Sequence, residues 1–183
     1  DGTLGAAAGR AKDTARAYDS LRQSLLIADR LPAWTGNRLK RLTLAPKRYL
    51  VDPGLFAGVL GVTENDVMTD GDLLGRVLET FVVAQIRAEA ALMSPAPRLH
   101  HLRTGEGRQE IDLVIEVGAR ALVAIEVKAT SSPDPGDARH LRWLRRELGG
   151  DVIATILLHT GPHTLVFNDG TVAAPISSLW SAE

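Results

Sequence analysis

The segment from Glu110 to Lys128 constrains the fold of this chain more than any other part of it. It reads EIDLVIEV, then Gly118-Ala119-Arg120, then ALVAIEVK. Both flanks are rich in Ile and Val, which suit a pleated and buried surface, and the break between them has the length of a compact hairpin connection. Alternation places Glu110, Asp112, Val114 and Glu116 on one face of the first strand, with Ile111, Leu113, Ile115 and Val117 opposite. On the second strand Leu122, Ala124, Glu126 and Lys128 share a face, opposite Val123, Ile125 and Val127. Paired as a hairpin, the two strands bring Asp112 near Glu126 at one end of a sheet.

The flanking sequence supplies the rest of an α/β domain. A short helix is predicted over 55–60, and the polar stretch TENDVMTDGD leads into a strong helix at about 72–92, with Asp70 or Asp72 as its cap. Leu74, Leu78, Phe81, Val82 and Gln85 crowd one side of that helix, so it should be well buried. Ser94-Pro95-Ala96-Pro97 ends it, and RLHHLRT is a further strand before the hairpin. After Pro133-Asp134-Pro135-Gly136 comes a helix at about 137–148, stopped by Gly149-Gly150. DVIATILLH then reads as a sheet-interior strand and HTLVF as a short one. The order α-β-β-β-α-β-β implies one mixed sheet with helices on its faces.

Asp112 and Glu126 suit a hard cation such as Mg²⁺, which prefers oxygen ligands and keeps several waters. Lys128 shares the Glu126 face, where an ammonium can orient or deprotonate an attacking water or stabilise developing phosphate charge. Lysine occurs only at 12, 40, 47 and 128, so Glu126-Val127-Lys128 is not a common chance string in this chain. The bland alternative is a Glu126–Lys128 pair on a solvated strand end. Glu79 is the candidate from the long helix. It either completes the metal site or pairs with Arg76 or Arg87.

The net charge of −1 conceals an asymmetry: residues 1–50 carry ten Lys or Arg against four Asp or Glu. Helical sequence at 13–26 is followed by extended IADRLPAW, a turn at Thr35-Gly36-Asn37, then RLTL and KRYLV. A helix and a basic two-stranded ribbon outline the second half of a winged helix. In a DNA-binding version Arg38, Lys40, Arg41, Lys47 and Arg48 meet phosphates. The other reading is a connector packed against a neighbouring domain. The boundary falls at residue 52, giving a segment 1–52 and a domain 53–183. On the later helix Arg139, Arg142 and Arg146 form a basic stripe that either contacts a nucleic-acid backbone or is ordinary helix surface.

Other attractions fail on spacing. Gly2-Thr3-Leu4-Gly5 lacks the Gly-Lys-Ser/Thr ending of a phosphate loop. His100 and His101 are adjacent in a strand and point opposite ways, while His140, His159 and His163 lack metal-ligand spacing and read as hydrogen-bonded structural residues. The absence of cysteine fits a reducing, cytoplasmic setting and removes thiolate sites. No apolar run reaches the roughly 18–20 residues that span a bilayer, so no membrane partner is expected. The chain opens on Asp1 in helical sequence and is expected to be part of a longer protein.

A helix with Glu79, a strand with Asp112, a hairpin and then Glu126-Val127-Lys128 resembles the PD-(D/E)XK, or restriction-endonuclease-like, superfamily. Ile111 stands where the proline that names the motif would be. The resemblance implies a restriction-endonuclease-like mixed sheet flanked by helices. In it Asp112, Glu126 and Glu79 would hold Mg²⁺, and these three with Lys128 would be catalytic. A longer likeness runs through LLIADRLPAW, KRLTLAPKRYLVDPGLFAGVLGV, LLGRVLETFVVAQI and HLRTGEGRQEIDLVIEVGARALVAIEVKAT. These look like the C-terminal domain of unknown function of predicted prokaryotic AAA-type ATPases, where it follows a winged helix. That likeness implies an ATP-binding module N-terminal to this chain and makes it a partner; no Walker motif lies within these residues. The implied role is a nuclease-like, DNA-associated domain with Mg²⁺-dependent phosphodiester hydrolysis. The alternative is a non-catalytic DNA- or protein-binding module serving the ATPase.

Overall fold

The computed structural model describes residues 14, 17–18, 20–21, 25, 27–36, 45–104 and 107–180. Residues 14, 17, 18, 20 and 21 are helical, within the helix predicted at 13–26. Strands β1 (Ala28–Leu31) and β2 (Lys47–Leu50) form an antiparallel ribbon in which Asp29 faces Tyr49. The RLTL strand, with Arg38, Lys40 and Arg41, lies outside the described residues. Helices α1 (Pro53–Leu60), α2 (Glu64–Thr69) and α3 (Gly71–Leu92) follow.

The stretch read as merely polar is therefore partly helical. The signal lay in Thr63 and Asp66, which form a capping box: the Thr63 hydroxyl accepts from the Asp66 N–H, while the Thr63 N–H donates to the Asp66 carboxylate. Asp70 caps α3 by accepting from the N–H groups of Asp72 and Leu73.

Strands β3 (Arg98–Arg103), β4 (Glu110–Val117), β5 (Ala121–Lys128), β6 (Val152–His159), β7 (Leu165–Val166) and β8 (Val172–Pro175) form one mixed sheet, ordered β3-β4-β5-β6-β8-β7. β3, β4 and β5 are antiparallel neighbours, as the hairpin predicted. Helix α4 (Arg139–Leu148) carries the chain from β5 to β6, which run parallel. Two antiparallel strands can meet through a tight turn, but parallel neighbours need such a crossover. The sequence reading missed β8, which inserts between β6 and β7. Its VAAP is too short and too weak in β-branched residues to announce a strand.

Two apolar layers hold the sheet. On one face Leu31 and Tyr49 of the ribbon pack with Val82 and Val83 of α3 against Leu113, Ile125 and Leu158. On the other Leu141 and Leu144 of α4 pack against Val114, Leu122, Ala124 and Leu157. The ribbon thus shares a core with the sheet. It is also stitched to β3, where the Trp34 N–H donates to the His101 carbonyl and the His101 N–H to that of Pro32. No described helix is long and apolar enough to cross a membrane.

One local departure shapes the site. Between the pairs Leu102↔Ile111 and His100↔Val114, β4 advances three residues while β3 advances two. This is a bulge, and it breaks the alternation expected along β4. Ile111 packs with Val114 on the α4 side, whereas Leu113 lies in the α3-side cluster. Strict alternation had grouped Asp112 with Val114. The extra residue frees Asp112 from that face, and its carboxylate reaches the same ammonium as Glu110.

Candidate functional site

An open cleft of about 510 Å³ lies where β4 and β5 approach the start of α3 and α4. Glu79, Asp112, Glu126 and Lys128 all line it, so the four residues singled out in the sequence face one cavity. Lys47, Glu110, His140, Arg76 and Arg103 join them. Gly75 and Gly71 form the α3 wall one and two turns before Glu79. A Cβ built on Gly75 meets nothing within 4 Å. Gly75→Ala should therefore stabilise the chain by roughly 0.5–1 kcal/mol, the usual helix-interior gain over glycine. Urea unfolding checks this, and a loss of stability would mean that the wall is occupied.

Glu79 pairs with neither arginine considered for it. Arg76 is ion-paired with Asp72 at 3.0 Å, and Arg87 with Asp29 on the ribbon. Instead Glu79 accepts from the Lys47 ammonium and, at 2.5 Å, from the Tyr49 hydroxyl. Lys47 and Tyr49 are two apart on β2, so pleating puts both on the face that meets α3. The Lys47 ammonium also stands 3.4 Å from Glu110 and 3.5 Å from Asp112. Burial works against that charge. The Glu79, Asp112 and Glu110 carboxylates outweigh it and hold the ammonium above the ordinary lysine range. Burial and the nearby Asp112 charge raise Glu79 above the usual carboxylate range, against the opposing pull of Lys47 and Tyr49.

Asp112 also replaces a backbone partner. The β4–β5 ladder ends at Leu113↔Ile125, and beyond it the Val127 N–H donates to Asp112 Oδ2 at 3.0 Å. This bond holds Asp112 against β5, next to the strand end that carries Glu126 and Lys128.

Glu126 is 2% exposed. Its Oε1 lies 3.1 Å from His140 Nδ1, and its Oε2 has no hydrogen-bond partner among the described residues. Burial pushes the Glu126 carboxyl up to about 8; Lys128 opposes the rise and Asp112 adds to it. His140, set aside in the sequence for want of ligand spacing, is thus part of the site. The Arg139 Nε–H donates to His140 Nε2 at 2.9 Å, which leaves the proton on Nδ1. From there it reaches the Glu110 carbonyl at 2.7 Å as well as Glu126. No linear signal connects His140 to Glu126, because β5 and α4 meet only in the packed domain.

The remaining basic candidates are spread apart. Arg142 donates to the Pro135 carbonyl and lies 3.8 Å from Asp169, Arg146 is exposed, and Arg48 is half-buried on the ribbon. Carboxylate donors and a buried, partnerless Glu126 oxygen fit an oxygen-preferring cation. Among the described residues, however, no three acidic or histidine side chains stand in a ready-made ligand cluster. The Lys47 ammonium is what lies among the carboxylates.

Residues 74–179 match the family described as Domain of unknown function (DUF4143), and residues 2–66 match a second, described as Domain of unknown function (DUF8612). Two uncharacterized proteins, one from Mycobacterium tuberculosis and one from Mycobacterium bovis, are each 31% identical over 170 residues. The alignment covers 92% of this chain and 36% of each relative, so the chain spans about a third of their length. No solved structure matches the chain significantly.

Proposed function

Within the DUF4143 family, to which this chain belongs, we propose that the acidic cleft is a Mg²⁺-dependent phosphodiester-hydrolysing site that acts on DNA, on a restriction-endonuclease-like core. The observation that carries this reading is the buried Glu126 oxygen without a partner, on an open cleft shared with Asp112 and Lys128. A buried carboxylate left half-satisfied is costly, and such groups cluster at functional sites. Asp112 and Glu126 would hold Mg²⁺, with Glu79 assisting. Bound there, the ion would supply electrostatic stabilisation of the phosphate charge. Lys128 orients or deprotonates the attacking water, or donates to the phosphate oxygens. His140 fixes the Glu126 carboxyl through Oε1 and leaves Oε2 as the oxygen still open to a ligand. Arg139 and Arg146 on α4, with Arg38, Lys40 and Arg41 between the two ribbon strands in sequence, are the residues proposed to meet the nucleic-acid backbone.

The greater length of the relatives accords with a larger protein. We take its further part to be an AAA-type ATPase module, preceding a winged-helix segment that ends in the ribbon. A non-catalytic DNA- or protein-binding module for that ATPase is the second reading. It is favoured by one observation: the Lys47 ammonium already stands among the carboxylates, against Glu79 and 3.5 Å from Asp112.

The test is cleavage of DNA by this chain and by the longer protein with Mg²⁺ or Mn²⁺. Asp112→Ala and Lys128→Ala should each reduce cleavage at least about 100-fold, the scale of losing one transition-state contact, while circular dichroism stays unchanged. Inert wild-type proteins on both DNA and RNA would overturn catalysis and leave the binding reading.

A further inference from the structure

The least expected member of the cleft is Lys47. It comes from the ribbon, 32 residues before Glu79 and 65 before Asp112. Its ammonium contacts the carboxylates of Glu79, Glu110 and Asp112. A divalent cation would need the oxygens of Glu79 and Asp112. A metal ion and an ammonium group cannot share them at ligand distances, since like charges a few ångströms apart repel in a partly buried site. No contact joins Lys47 to Glu126, which lines the same cleft and whose buried Oε2 has no hydrogen-bond partner among the described residues. The cleft therefore carries a cation on one side and an unanswered acceptor on the other.

We propose that Lys47 is a built-in counter-cation that competes with a divalent metal ion for Asp112 and Glu79, so that the ribbon gates metal loading of the cleft. The inference rests on the metal-site reading above. Loading requires the Lys47 ammonium to leave Asp112, which only a shift of its side chain or of β2 allows. The ribbon is held to the body by the apolar packing of Leu31 and Tyr49 and by polar contacts, Asp29 to Arg87 and Trp34 to His101. Whatever holds or pulls the ribbon thus sets the affinity of the cleft for the ion.

Two measurements test this on the chain as it stands. The first is Mn²⁺ binding followed by electron paramagnetic resonance. Lys47→Met keeps the apolar stem and removes the charge, and should bind one Mn²⁺ at least tenfold more tightly than wild type. Asp112→Asn in the same background should remove that gain. Equal affinity in wild type and Lys47→Met overturns the competition while leaving the metal site standing. No Mn²⁺ binding by either overturns the metal site as well. The second needs no variant: acylation of lysine amines read by mass spectrometry, with only four lysines in the chain. Lys47 should be protected without metal and become several-fold more reactive at saturating Mg²⁺, with Lys12 as the internal reference. Unchanged Lys47 reactivity while Mg²⁺ is bound overturns the proposal.

Discussion

Lys47→Met should lower the stability of the chain by about 2–4 kcal/mol at pH 7 without divalent cations, toward the scale of breaking a buried ion pair by removing one partner. Lys47 and Glu79 are 26% and 16% exposed, so water screens the pair only in part. Removing the ammonium leaves Glu79, Glu110 and Asp112 facing one another, with only the Tyr49 hydroxyl still donating to Glu79. The pH dependence has a definite sign. The native lysine pKa is raised, so its contribution is complete below the ordinary value of 10.5 and fades as pH rises through the native value. Glu79 is raised above the usual carboxylate range and takes up a proton as pH falls, so the penalty of the variant should shrink in acid. Adding Glu79→Gln should recover part of the loss, and a double-mutant cycle gives the coupling. Urea unfolding at pH 7 and pH 4 reads both effects. A Lys47→Met chain as stable as wild type at pH 7 would reduce the contact to an ordinary surface pair.

Glu126→Gln is expected to act in the opposite direction. The Glu126 carboxyl goes from an ordinary 4.5 to about 8 in the folded chain, so between those values the native state holds a proton that the unfolded state has lost. Stability contributed by this group is thus complete below about pH 4.5 and falls as pH rises to about 8. At about 1.36 kcal/mol per pH unit, that interval corresponds to roughly 3–5 kcal/mol. Glutamine keeps the shape and can still accept from His140 Nδ1, without a charge to desolvate. The variant should match wild type near pH 4.5 and exceed it by up to that amount at pH 8.5. Thermal melting across this range measures the difference. Excess Mg²⁺ should stabilise wild type at high pH more than it stabilises Glu126→Gln, because the variant keeps Asp112 and Glu79 but has lost one carboxylate ligand. A wild-type chain whose stability stays flat from pH 5 to 8 would show that the carboxyl is not desolvated as its burial requires.

Much of the scaffold was legible in the residues. Ile and Val runs on either side of Gly118-Ala119-Arg120 announced β4 and β5, and Gly118 adopts the positive φ that such a turn asks for. The spacing of Leu74, Leu78 and Val82 announced α3, and the predicted 72–92 lies within the observed Gly71–Leu92. Helix α2 is hard to see in the sequence although Thr63 and Asp66 carry its cap, because six residues show too little periodicity. Strand β8 was lost for a similar reason: it is set by its neighbours β6 and β7 rather than by its own composition.

The candidate site divides along the same line. Sequence alone determined which side chains could do acid, base or metal chemistry. It also placed Asp112 and Glu126 on adjoining strands, since backbone periodicity is a local property of the chain. Only the tertiary structure decided their surroundings. The His140 ring against Glu126 and the Lys47 ammonium among three carboxylates join residues distant in sequence, and the bulge in β4 parts Asp112 from Val114, with which alternation had grouped it. In the sequence Lys47 is open to two readings, a phosphate contact or part of a packed connector, because a basic ribbon by itself does not show what it faces. Packing against α3 desolvates that charge, and a desolvated ammonium is stable only beside carboxylates.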